Sequence, residues 1–162
     1  MKDADRQLLH QFYVASRALM ASGVVPDISV QRSFDGVIEG YRGEDSWRPS
    51  HITLAAAERL SVGVTTGIQR AHGILAGRMD RYARTIMILK GAELDFDAWW
   101  KVWTDNDATV LVTREEHIEN RQFTPDEVLE IPRSLNLFGT GGFSFKFRKK
   151  SEAAWIRERL GR

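Results

Sequence analysis

The sequence predicts an α+β fold, predominantly α-helical, with a helical core, a small antiparallel sheet and a C-terminal helix. Three observations predict it. Apolar residues recur at three- and four-residue steps over residues 3–22, the spacing of one helix face. A short β-branched run, ATVLVT at 108–113, has the composition of a buried strand. Phenylalanines alternate with polar residues at 143–147, behind a glycine-rich turn, as in a hairpin with one buried face. A chain of 162 residues without repeats or a low-complexity linker is expected to form a single globular domain over 1–162.

Taken in order, residues 3–22 place Leu8, Leu9, Phe12, Ala15, Leu19 and Met20 on one stripe. Asp3 and Asp5 suit the positive end of the helix dipole, and Gly23 suits its stop. Residues 24–49 read as a loop with one helical turn near Val37 and Tyr41, because Pro26, Pro49 and several glycines interrupt any period. Residues 53–60 form a short helix capped by Ser50 or Thr53, followed by a turn at Gly63. A long basic helix is expected from Thr65 to Leu89 or Lys90, ended by Gly91, although Gly67, Gly73 and Gly77 each cost about 1 kcal/mol relative to alanine. A helix opening at Asp95 brings Phe96, Trp99, Trp100 and Trp103 to adjoining faces as a main core element.

After the 108–113 strand, TREEHIEN reads as a charged helical turn. Thr124-Pro125-Asp126-Glu127 carries a cap, a first-turn proline and an acid, which predicts a short helix ended by Pro132. Residues 135–148 are the hairpin, turning at Gly139, Gly141 and Gly142. Ser151 is placed to cap a terminal helix that docks Ala154, Trp155 and Leu160.

The absence of cysteine excludes disulfides and thiolate-bound metals. No apolar run approaches the roughly 20 residues that span a bilayer. The acidic, amphipathic opening MKDADRQLLHQF is unlike a signal peptide. The expectation is a cytoplasmic protein that binds no membrane, metal or cofactor. Net charge is +1, but it is segregated along the chain. Residues 65–90 hold Arg70, Arg78, Arg81, Arg84 and Lys90 against Asp80. Residues 91–130 are strongly acidic, and the C-terminal stretch from 143 is basic again. Segregated charge builds either a phosphate-attracting face or two faces that attract each other.

Residues 53–78 resemble a helix-turn-helix, with a turn longer than that family's usual one. Ala55, Ala56 and Ala57 allow close helix approach, Leu60 and Val62 plug the angle, and Ile68 packs the second helix onto the first. The resemblance implies non-catalytic DNA binding, with Thr65, Thr66, Gln69 and Arg70 presented to base edges and a dimer spanning two half-sites. Arg78, Arg81, Arg84, Lys146, Arg148, Lys149 and Lys150 would then touch phosphate, the last four from a hairpin wing and its exit. Two other functions fit the same sequence. Segregated charge also serves an assembly or protein-interaction module, with a homo-oligomer as its product. Asp107, Glu115, Glu116 and His117 are the residue types of a small metal-dependent nuclease, although residue 121 is Arg where the HExxH zinc pattern needs His.

Overall fold

A computed structural model describes residues 1–119, 121–141, 144–145, 147–148 and 150–162. It contains, in chain order, α1 (Asp3–Ser22), α2 (Asp27–Arg42), β1 (His51–Thr53), α3 (Leu54–Ser61), β2 (Ile68–His72), α4 (Arg81–Lys90) and α5 (Phe96–Asp105). The second half adds β3 (Thr109–Thr113), α6 (Arg114–Glu119), β4 (Val128–Glu130), β5 (Thr140–Gly141), β6 (Ser144–Phe145) and α7 (Ser151–Arg159). The fold is α+β and helix-dominated, and it ends in a helix as expected. The chain divides into two compact units, one from Met1–Gly43 with Met79–Asp107, the other from Glu44–Arg78 with Ala108–Arg162. Among the described residues no helix is long and apolar enough to cross a membrane.

The first unit is helical: α1, α2, α4 and α5 enclose Tyr13, Phe34, Ile38, Ile88, Trp99 and Trp103, all fully buried. The buried stripe of α1 runs through Leu9, Tyr13, Ser16 and Met20, while Leu8 is 64% exposed. Tyr13 wins the inward position because its ring stacks on Trp99 and its hydroxyl accepts the Leu94 amide at 2.9 Å. The expected loop at 24–49 is corrected by α2, which starts behind Pro26 and ends at Gly43. Val30, Phe34 and Ile38 recur at four-residue steps and are buried, and Gly36 and Gly40 lie on the exposed side. Burial of that stripe outweighs the low helix propensity of the two glycines. In α5, Asp95 caps by accepting from the Ala98 amide at 2.8 Å, and Trp99 and Trp103 point into the core as the sequence predicts.

The second unit is built on a mixed four-stranded sheet ordered β2-β3-β1-β4. β1 runs parallel to β3, whereas β2 with β3 and β1 with β4 are antiparallel, so the expected purely antiparallel sheet is corrected. One face carries Ile52 and Leu111 under α3 and α7, with Ala56, Ala57, Leu60, Trp155 and Ile156. The other carries Ala71, Val110, Val112 and Val128 under Ile74, Leu75 and Phe123. Thr53 is the α3 cap, accepting from the Ala56 amide at 3.2 Å. The short helix expected after Thr124 is a single 3-10 turn, Pro125–Glu127, and the chain passes directly into β4. β5 pairs with β6 in the expected hairpin region, and Gly142 and Phe143 lie outside the described residues. The terminal helix starts at Ser151 itself, and the residue before it, Lys150, makes no capping bond.

The largest correction concerns residues 65–90. The continuous helix is replaced by β2, a loop and the shorter α4. Gly67, Gly73 and Gly77 adopt φ of 76°, 72° and 78°, left-handed values that no right-handed helix contains. Between Gly67 and Gly73 the chain runs straight and pairs all five residues of β2 with β3. Gly67→Ala is expected to lower the stability of the second unit by ~1–2 kcal/mol through this strain alone, because the new Cβ meets Arg59 only at 3.4 Å. A chemical-denaturation midpoint unchanged by the substitution contradicts that account.

Candidate functional site

The residues expected to form one nucleic-acid surface are distributed over both units. Thr65 and Thr66 are exposed in the turn before β2, where the Thr66 carbonyl accepts from Arg59 at 3.0 Å. Gln69 and Arg70 are neighbours on a strand and therefore point to opposite faces. Gln69 Oε1 lies 2.6 Å from His117 Nδ1. Arg70 donates to the Trp47 carbonyl at 2.6 Å and covers the Trp47 ring at 5.2 Å. Arg81 pairs with Glu39 and Asp35 in the first unit. Arg84 is 1% exposed and lies between Asp35 at 3.2 Å and Asp107 at 3.3 Å, so it is a core residue rather than a phosphate contact. Arg78, Arg148 and Lys150 are exposed on the second unit, and Lys146 and Lys149 lie outside the described residues.

The acids considered for metal-dependent catalysis are engaged separately. Asp107 binds Arg42 and Arg84. Glu115 pairs with Arg59 at 3.1 Å. Glu116 accepts from Thr53 and from the Thr113 amide, both at 2.8 Å, which closes the start of α6. No group of three His, Asp or Glu side chains among the described residues is spaced to hold a metal ion.

What the sheet does bring together is His51 and Glu130. In the antiparallel pairing of β1 with β4 they stand directly opposite each other, on the face whose core is Val110 and Val128. Opposed residues in such a pair have Cβ atoms roughly 4.5–5.5 Å apart. Ser50 holds the ring. Its Oγ lies within hydrogen-bond distance of both the Thr109 carbonyl, at 3.1 Å, and His51 Nδ1, at 2.9 Å. Nε2 has no hydrogen-bond partner among the described residues. Burial pushes the imidazole below its ordinary 6.5; Glu130 opposes this and Arg78 adds to it. The ring is half-buried, beside an exposed carboxylate and within the field of an arginine.

β4 is an outer strand of the sheet, and an open cavity along it is lined by Val128, Leu129, Glu130, Pro132 and Arg159. Arg159 reaches it from α7 and makes no ion pair among the described residues. The cavity thus brings the Glu130 carboxylate and the Arg159 guanidinium together at the strand edge, while His51 stands on the neighbouring strand outside its lining. Sequence reasoning does not find this pair. His51 and Glu130 meet only through the pairing of two three-residue strands, and β4 reads as the end of a helix. No family model matches the chain, and neither a curated protein nor a solved structure matches it.

Proposed function

We propose that the protein binds nucleic acid through phosphate contacts made by the second unit. One observation carries this reading. Arg133, Arg148, Lys150, Arg157 and Arg159 are all exposed, and none of them is ion-paired among the described residues. Other cations are already engaged: Arg6, Arg42, Arg81, Arg84, Lys90 and Lys101 of the first unit and Arg48, Arg59, Arg121 and Arg162 of the second each face a carboxylate, whereas Lys2 and Arg32 of the first make no ion pair among the described residues. Arg17 donates to the carbonyls of Ile88, Leu89 and Gly91 at the end of α4. Charges already neutralised within the fold gain little from phosphate, whereas hydrated cations release counterions from it. Lys150, the residue that precedes α7 with helical backbone angles, and Arg157 on α7 are seven residues apart and so share a stripe, with the exposed Ala154 between them. Residues 65–78 are strand and loop, so base reading by an inserted helix is not part of the proposal.

Binding of fluorescently labelled duplex and single-stranded oligonucleotides at two salt concentrations tests it. Five phosphate contacts give a log–log salt slope of roughly −3.5 to −4.5. Replacing Arg148, Lys150 and Arg157 together by alanine is expected to flatten that slope by ~2–3 and to weaken binding to all sequences alike. No binding at low salt, or binding indifferent to salt, defeats the proposal.

A further inference from the structure

We infer that the outward face of α1 and α2 is the contact surface of a homodimer. The dimer involves the first unit alone and does not depend on nucleic-acid binding by the second.

The face is unlike that of a helix pair turned to water. Leu8, Phe12, Ala15 and Leu19 follow at steps of four, three and four residues, so they form one ridge along α1. Leu8 is 64% exposed and Leu19 42%. The ridge runs beside α2, because Phe12 stacks on Phe34 at 5.6 Å. At the start of α1, Asp5 accepts from the Tyr41 hydroxyl at the end of α2, at 3.3 Å, so the two helices are antiparallel. From Gln7 to Ser22 no exposed residue of α1 is charged, and Arg17 is turned to the carbonyls at the end of α4. On α2 the exposed side carries Arg32 as its single charge. Scattered exposed leucines are ordinary on a protein surface, whereas a continuous uncharged face marks a contact.

Two glycines say what kind of contact. Gly36 and Gly40 lie four residues apart on the exposed side of α2. Neither has a left-handed φ, and a Cβ added at either meets nothing within 4 Å. No turn, strain or packing inside the chain calls for glycine there, and both residues lower the helix propensity of α2. What glycines at this spacing supply is a notch where another helix can lay its side chains against the backbone.

A second copy of this chain fits the notch. The ridge of α1 and the notch of α2 are side by side on antiparallel helices. A two-fold axis between them lays each copy's ridge, Leu19 foremost, on the other's notch and makes the contact twice. An uncharged face meets itself without repulsion and offers an unlike partner no charge to recognise. Two adjacent helices over this length present on the order of 400 Å² in projection. That is below the roughly 800 Å² per partner of a standard complex, so the dimer is weak, with a Kd of roughly 10–100 µM.

Sedimentation equilibrium of the full chain, freed of nucleic acid and loaded from about 1 to 300 µM, tests the dimer. Expected is an average mass that rises from that of the monomer toward twice that value. Leu19→Glu sets a carboxylate at an already exposed position. It is expected to hold the chain at monomer mass throughout, with an unchanged urea midpoint. Gly36→Ala combined with Gly40→Ala is expected to move two readings in opposite directions. The urea midpoint at about 1 µM, where the monomer prevails, rises because both new Cβ atoms enter open space on a helix. The dimer dissociates roughly tenfold more readily or beyond, because the notch is filled. A chain that stays monomeric over the whole range overturns the inference. A dimer that Leu19→Glu leaves intact overturns it too, as does a glycine variant that gains stability with its dissociation constant unchanged.

Discussion

Asp35→Ala is expected to destabilise the helical unit by ~3–5 kcal/mol, the range for leaving a buried charge without its partner. Asp35 is fully buried on α2. One carboxylate oxygen accepts from Arg84 at 3.2 Å, Thr85 Oγ1 at 2.7 Å and Trp103 Nε1 at 3.1 Å, and the other accepts from Gln31. Arg84 is equally enclosed, with its guanidinium carbon 4.1 Å above the Trp103 ring and Asp107 on its far side. Removing the carboxylate leaves Arg84 with Asp107 alone and leaves one of its N–H groups, an indole N–H and a hydroxyl without their acceptor in a place that water does not reach. The reciprocal prediction separates charge from packing. Asp35→Leu combined with Arg84→Met removes both charges at similar volume and is expected to regain most of the loss, because a buried ion pair is seldom worth more than the apolar contacts that replace it. Asp107 keeps Arg42 in that double variant. Urea denaturation followed by circular dichroism reads both. A single variant within 1 kcal/mol of the parent removes Asp35 from the centre of this unit.

The same network explains why part of the fold was legible and part was not. Helices with an apolar stripe and acids at the N-terminus, first-turn Asp3 and Asp5 in α1 and the cap Asp95 in α5, follow from spacing alone, as does β3, which is buried at every position. α2 was hidden because its two glycines and its inward polar residues Gln31, Asp35 and Glu39 look like loop composition. They make sense only beside Arg81, Arg84 and Trp103, which arrive more than forty residues later in the chain. β2 was hidden for another reason. Ile68-Gln69-Arg70-Ala71-His72 has no period of two, and its strand state comes from full pairing with β3. Read as helix, the segment carried its cations to a DNA groove. Read as strand and loop, it leaves Arg70 on Trp47 and Arg84 in the core. Division into two units left no mark on composition either, because the first unit is assembled from two segments with 35 residues of the second between them, 44 to 78. The His51–Glu130 pair is a product of register, and register is not written in either local sequence.

Glu39 should make the helical unit more stable in mild acid than at neutrality. It lies one helical turn beyond Asp35, is 8% exposed, and faces Arg81. Burial drives its carboxyl from the ordinary 4.5 up to about 7; Arg81 and Arg84 oppose the shift, and the nearby carboxylates Asp35 and Asp107 add to it. A group whose folded pKa exceeds its unfolded one keeps a proton that the unfolded chain releases. Stability from Glu39 is therefore greatest near pH 4.5 and falls as pH rises toward 7, by up to ~3 kcal/mol across the window. Asp107, also raised by burial, contributes with the same sign. His51, lowered by burial, contributes with the opposite one. Comparison with Glu39→Gln isolates the single group, since those other titrations are common to both proteins. The amide mimics the protonated carboxyl, so the two proteins are expected to match near pH 5. At pH 8 the variant is expected to be the more stable by ~1–3 kcal/mol, the smaller figure applying because Arg81, a third exposed, keeps some water and loses a partner. Urea midpoints at pH 5, 6.5 and 8 decide the matter. Parallel profiles for parent and variant mean that Arg81 holds Glu39 ionised throughout, and that the ion pair, rather than burial, governs this end of the network.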